Sequence, residues 1–149
     1  MRLTEERMKH AHAVAEYMYK HYREYDCKKL SQDEIYALGL NHNIGYIDGA
    51  EEHNAKGALL FANTRFGEYI GWLEYTPREF FTITGNITAP GELVLLWTAD
   101  FSIECNGEDA GKEIGFDKRL KNIEKRLGKA TKAYSRAKET INWLIIQGR

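Results

Sequence analysis

The stretch Thr4-Glu5-Glu6-Arg7-Met8-Lys9-His10-Ala11-His12-Ala13-Val14-Ala15-Glu16-Tyr17-Met18 decides how this chain is read. Met8, Ala11, Val14, Ala15 and Met18 recur at steps of three and four, the period of an amphipathic helix. Thr4 suits an N-cap, and Glu5 and Glu6 put negative charge in the positively polarised first turn. The helix is expected to run to about Tyr25. It carries two imidazoles close together, but His10 and His12 lie about 200° apart around a helix, so they cannot serve one site. His21, near its end, reads as an exposed helix residue.

Outward from this helix the punctuation is regular. Ser31-Gln32-Asp33-Glu34 forms a capping box for a second helix carrying Ile35, Tyr36, Leu38 and Leu40. Gly45 and Gly49 mark a break, and a third helix is expected from about Glu52 through Ala55, Ala58, Leu59, Leu60 and Ala62. The aromatic stretch that follows predicts a helix around Phe66–Tyr75, then a loop closed by Gly85-Asn86 and Ala89-Pro90-Gly91; Phe80–Thr84 also fits a short strand. A helix over Glu92–Phe101, a turn at Asn106-Gly107-Glu108-Asp109 and one long helix from Asp117 complete the chain. The expected fold class is all-α: one mostly helical bundle over residues 1–149, with an aromatic-rich insert at 63–91 as its least regular part.

Composition narrows the class. With 149 residues, 43% hydrophobic and 29% charged, the chain can bury a core of its own, which excludes a disordered or collagen-like protein. No apolar run reaches the roughly 18 residues that span a bilayer, and the charged N-terminus lacks a signal-peptide core. Cys27 and Cys105 have no ligand spacing and read as reduced thiols. A cytoplasmic protein with no membrane partner is expected. Neither a Walker-type phosphate loop nor a GxSxG nucleophile motif is present.

Charge is divided unevenly. Residues 117–149 hold ten Lys/Arg against three Asp/Glu, whereas residues 1–116 hold eleven against nineteen. The basic segment is either a solvated helix face or a surface for phosphate or an acidic partner. Its aromatics do not interleave with its basic residues except at Tyr134 and Trp143, so nucleic acid is not the expected partner. Leu120, Ile123, Leu127, Ala130, Tyr134, Ala137, Ile141 and Leu144 alternate in steps of three and four. That seam over 120–144 either docks on the helical core or joins a homodimer along a helix of about 45 Å.

Three segments carry metal-ligand chemistry: His10 in helix one, His42 at the end of helix two in Leu40-Asn41-His42-Asn43-Ile44-Gly45, and Asp100 after the apolar run Leu93-Val94-Leu95-Leu96-Trp97-Thr98-Ala99. Each sets an imidazole or carboxylate beside residues that must be buried, and these are the donors that hold divalent cations. Lys56, Arg65, Lys118 and Arg119 are candidate phosphate contacts. Trp72, Tyr75, Phe80 and Phe81 either stack a nucleobase or fill the core.

In this order and with these flanks the chain resembles the HD superfamily of metal-dependent phosphohydrolases. His10 stands four residues before Val14-Ala15, His42 lies in a motif similar to Leu-x-His-Asp-Ile-Gly, and Ala99-Asp100 is similar to the closing Ala-Asp of that family. His53 before Gly57-Ala58 is a further similar feature. The resemblance covers His10 to Asp100 and extends into residues 117–127. It implies His10, His42 and Asp100 as metal ligands, Asn43 as a weakened fourth, and His53 as a ligand of a second metal or a phosphate contact. It also implies a catalytic set of His42, Asn43 and Asp100, a divalent metal (Mn, Fe, Mg, Co, Ni or Zn) and a small phosphorylated substrate, foremost a nucleotide.

One position departs from the family. Asparagine 43 replaces the aspartate of the His-Asp pair, which keeps a carbonyl oxygen but removes a charge that offsets the cation. Metal affinity should fall. Asp48 is a candidate to replace the missing carboxylate. The expected function is a metal-dependent phosphohydrolase or phosphodiesterase acting on a nucleotide or small phosphoester. The alternative is a catalytically degenerate HD-like module that binds a nucleotide or another protein.

Overall fold

The computed structural model describes residues 4–43, 64 and 66–149. Seven α-helices run through them: α1 (Glu5–His21), α2 (Gln32–Asn41), α3 (Gly67–Trp72), α4 (Pro77–Thr84), α5 (Gly91–Ser102), α6 (Phe116–Leu127) and α7 (Lys132–Ile146). Among the described residues there is no strand, only an isolated antiparallel bridge between Ile103 and Glu113. The fold is all-α. No helix of the described residues is long and apolar enough to cross a membrane. The break at 44–49 and the helix expected from Glu52 lie outside the described residues.

Most helix starts obey their local chemistry. The Thr4 hydroxyl accepts from the Arg7 amide, and Ser31 and Glu34 close a reciprocal capping box at α2. Helix α1 ends at His21 and tightens into a 3-10 turn over Tyr22–Glu24, so the helical path stops close to the expected Tyr25. The middle of the chain differs from expectation. Phe80–Thr84 is neither strand nor loop but the second half of α4, started by a capping box of Thr76 and Glu79 with Pro77 in the first turn.

The terminal segment also differs. Instead of one long helix there are two, because Gly128 takes φ +85 and ends α6, while the Thr131 hydroxyl caps α7. The seam residues turn inward: Ile123, Tyr134 and Ala137 form a small cluster with Phe101 and Leu120, and Ile141 and Leu144 are buried. Leu127 and Ala130 stay exposed. Most of this apolar line therefore serves the chain's own core.

Helix α5 is the centre of the bundle. Nine of its residues are buried, including Leu93, Leu95, Leu96 and Trp97, as expected of a helix that is apolar on all sides. Helices α1, α3, α6 and α7 pack around it, and α2 lies on α1. Phe80 meets Trp97 and Trp72 edge-on, and Trp143 meets Phe81 and Trp97. Trp72, Phe80 and Phe81 therefore belong to the core, the second of the two roles open to them.

The α1–α2 contact is close because residue 39 is glycine. A Cβ there would stand 2.8 Å from Ala15 Cα and 3.0 Å from both Ala15 N and Met18 Sδ. Two of those atoms are backbone, so relief requires separating the helices. Gly39→Ala should therefore destabilise the protein by about 1–3 kcal/mol in urea unfolding, despite the better helix propensity of alanine. An unchanged midpoint would refute this account of the contact.

Candidate metal centre

Three helices each bring one donor to a common point. His10 projects from the buried face of α1, His42 caps the C-terminus of α2, and Asp100 lies in the last turn of α5. The histidines are 1% and 0% exposed, while the Asp100 side chain is 23% exposed and opens to a cleft. His10 Nε2 lies 2.9 Å from Asp100 Oδ1, and His42 Nε2 lies 3.2 Å from the same oxygen. All three donor atoms fall within 4.8 Å of one another, so the group can hold a metal ion.

The far side of each ring decides its protonation. His10 Nδ1 faces the Glu104 carbonyl at 3.3 Å, and His42 Nδ1 faces the Gly39 carbonyl at 2.6 Å. A carbonyl only accepts, so each Nδ1 carries the hydrogen and donates it. In the neutral rings both Nε2 lone pairs then point at a carboxylate oxygen. Three lone pairs facing one another suit a cation held between them. Burial is the largest influence on His10 and opposes its charged form, holding its pKa below 6.5 even though Asp100 pulls the other way. Burial also pushes the Asp100 carboxyl up, but the contacts from His10 and His42, which donate from Nε2 once the rings are protonated in acid, outweigh it and leave its pKa well below the usual range. Backbone carbonyls that orient the ligating imidazoles are the usual support of a metal site.

Separations near 3 Å between donors suit a small cation with bonds of about 2.0–2.2 Å to each. Two imidazoles and a carboxylate favour Mn²⁺, Fe²⁺, Co²⁺, Ni²⁺ or Zn²⁺ over Mg²⁺, which prefers oxygen donors alone.

Asn43 is 5% exposed and lines the same cleft, of about 380 Å³, as His10 and Asp100. Arg119 lines it too. It is 6% exposed, with Nη1 3.6 Å from Glu104 Oε1 and Nη2 3.4 Å from Cys105 Sγ. Lys118, the next residue, is exposed and outside the cleft wall, so the two neighbours do not act together. His12 is exposed on the opposite face of α1, and His21 pairs with Glu24. His53, Asp48, Lys56 and Arg65 lie outside the described residues. Of the aromatic candidates, Tyr75 alone reaches the cleft.

Sequence reasoning missed three arginines of the cleft lining and one supporting residue. Arg7 stands one helical turn before His10, a spacing that puts it on the same face. Arg126 and Arg136 also line the cleft, and only the general basic character of their segment hinted at them. Glu104 is 3% exposed and orders its surroundings: its carboxylate accepts from the Cys105 and Asn106 amides and from Asn122. No sequence pattern marked it.

The titration has a testable sign. In the unfolded chain His10 gains its proton near pH 6.5, whereas in the fold it stays neutral to lower pH. The unfolded state therefore binds more protons below 6.5, and stability of the metal-free protein must fall as the pH drops. Asp100 adds a second loss in stronger acid, as pH falls from its ordinary 3.8 through its depressed folded value. Denaturant unfolding in chelator should show a decline of up to about 1.4 kcal/mol per pH unit below 6.5. It should be shallower in His10→Gln; the same slope in both proteins would count against a buried neutral imidazole.

No protein-family model, curated protein or solved structure matches the chain, so the chemistry of this centre rests on its own residues.

Proposed function

We propose that this chain is a divalent-metal-dependent phosphohydrolase of the HD type, acting on a nucleotide or another small phosphoester. The observation that carries the reading is the meeting of His10, His42 and Asp100, from three separate helices, in a cleft that arginines line. A divalent cation bound there would polarise a phosphoryl oxygen and lower the pKa of a coordinated water. His10 and His42 hold their donor atoms in place through the Glu104 and Gly39 carbonyls. Asp100 supplies the one carboxylate among the described donors. Arg119 and Arg7 stand where guanidinium groups can hold non-bridging phosphate oxygens and offset the charge that builds on them.

Asn43 favours a second reading. Its buried amide replaces a charged oxygen with a neutral one beside His42, which weakens cation binding and alters the activation of water. A module of the same architecture that binds nucleotide without turnover follows if that loss is not compensated.

The two readings separate in one experiment. Metal content of the purified protein and of Asn43→Asp is measured, followed by phosphate release from generic phosphoesters and nucleotides with Mn²⁺. The hydrolase reading expects metal in both proteins, at least tenfold tighter in Asn43→Asp, with phosphate release that Asp100→Ala abolishes. Metal uptake without release from either protein selects the binding module. Neither metal nor release in either protein overturns the metal-centre reading altogether.

A further inference from the structure

Among the described residues that line the cleft, more guanidinium groups are present than a single phosphate group uses. Four guanidinium groups line it, from Arg7, Arg119, Arg126 and Arg136, against one carboxylate, Asp100, among the described lining residues. They come from three helices, and Arg119 and Arg126 are two turns apart on α6, about 10.5 Å along its axis. Arg136 on α7 is tied down by a hydrogen bond from Nη1 to the Glu74 carbonyl.

Arg119 supplies the second observation. Its Nε and Nη1 are buried and make no hydrogen bond. Glu104 balances the charge from 3.6 Å but does not take those hydrogens. Its Oε1 already accepts from the Cys105 and Asn106 amides at 2.9 and 3.2 Å, and its Oε2 accepts from Asn122 at 2.7 Å. A buried guanidinium with two unused donors, at the wall of a cleft, calls for an acceptor that enters from outside.

Resting on the phosphohydrolase reading for the position of the first phosphate, we infer that the arginine arm of the cleft takes a second one. The ligand is a phosphoanhydride chain, a diphosphate or longer, whose terminal group sits at His10, His42 and Asp100. Its next group lies along Arg119, Arg126 and Arg136. The chain can be an inorganic polyphosphate or the tail of a nucleotide; Tyr75 in the cleft wall offers a ring to a base in the second case.

The test uses the full chain with free Mn²⁺ held constant and at constant ionic strength, with inorganic phosphate, pyrophosphate and ADP titrated calorimetrically at a temperature where phosphate release is negligible. Pyrophosphate is expected to bind at least tenfold tighter than phosphate. Arg126→Gln and Arg136→Gln should each weaken pyrophosphate at least fivefold and leave phosphate within twofold. Lys121→Gln, an exposed residue of α6 outside the cleft wall, should change neither, which separates a built subsite from general basic charge. Arg119→Gln should weaken both anions, and the exposed Arg126 keeps the test decisive if that buried change prevents folding. ADP tighter than pyrophosphate identifies the nucleotide source; ADP no tighter identifies the inorganic one. Phosphate and pyrophosphate within threefold of each other, or an effect of Lys121→Gln equal to that of Arg126→Gln, overturns the inference. That failure, with metal uptake and phosphate release intact, leaves metal-dependent hydrolysis standing. Loss of metal uptake with the pyrophosphate preference intact removes the hydrolase reading instead.

Discussion

Two imidazole nitrogens and one carboxylate oxygen held within reach of a common centre form the constraint on which the rest of this structure depends. Bringing lone pairs together in a buried place is unfavourable by itself, and the fold supports it from several directions. Residue 39 has no side chain, so α2 can approach α1 until His10 and His42 stand with ring centroids 5.2 Å apart. The carbonyl of the same residue then takes the Nδ1 hydrogen of His42. One glycine thus serves both the packing of two helices and the orientation of a ring. The apolar surroundings of α5 fix the third partner, because a helix buried on nearly every side cannot rotate to withdraw Asp100.

Glu104 joins the two halves of the cleft. Its backbone carbonyl orients His10, and its carboxylate lies beside Arg119 while accepting three other hydrogen bonds. A shift of this residue would move a ring on one side and a guanidinium on the other. The turn that carries it is itself tied by the Glu104–Lys112 and Gly111–Glu104 backbone hydrogen bonds. The short segment between α5 and α6 is therefore part of the site and not a mere connection. Such buried polar networks are rigid when their members are satisfied. Here the unsatisfied members are two nitrogens of Arg119, at the place where the network meets the cleft.

Much of the helical order was legible because its causes are local. Thr4 and Ser31 cap the helices that follow them, and the three–four spacing after Thr4 gives the buried face of α1 at Ala11, Val14, Ala15 and Met18, whereas Met8, the first member of that stripe, is exposed. The same kind of signal stands at Thr76-Pro77-Arg78-Glu79, where a capping box with an early proline outweighs the β-branched and aromatic character of Phe80–Thr84. Gly128 was visible as a weak point in a long apolar line, yet its left-handed backbone ends the helix outright and lets α7 fold back on α5 and α6. In both places a single local signal outweighed the average tendency of its window.

The sequence by itself determined the all-α class, helices α1, α2 and α5, the caps of α1 and α2, and the presence of His10, His42 and Asp100 beside residues bound for the interior. Periodicity and capping act over a few residues, so one stretch of chain suffices to read them. Only the tertiary structure decided that those three side chains share one centre, that Asn43 enters its cleft, and that Arg119 faces inward while Lys118 does not. The same holds for Arg7, Arg126 and Arg136, which come from two ends of the chain to one wall. Convergence of this kind depends on how helices far apart in sequence pack and on which face each presents, and no short window of residues contains that information.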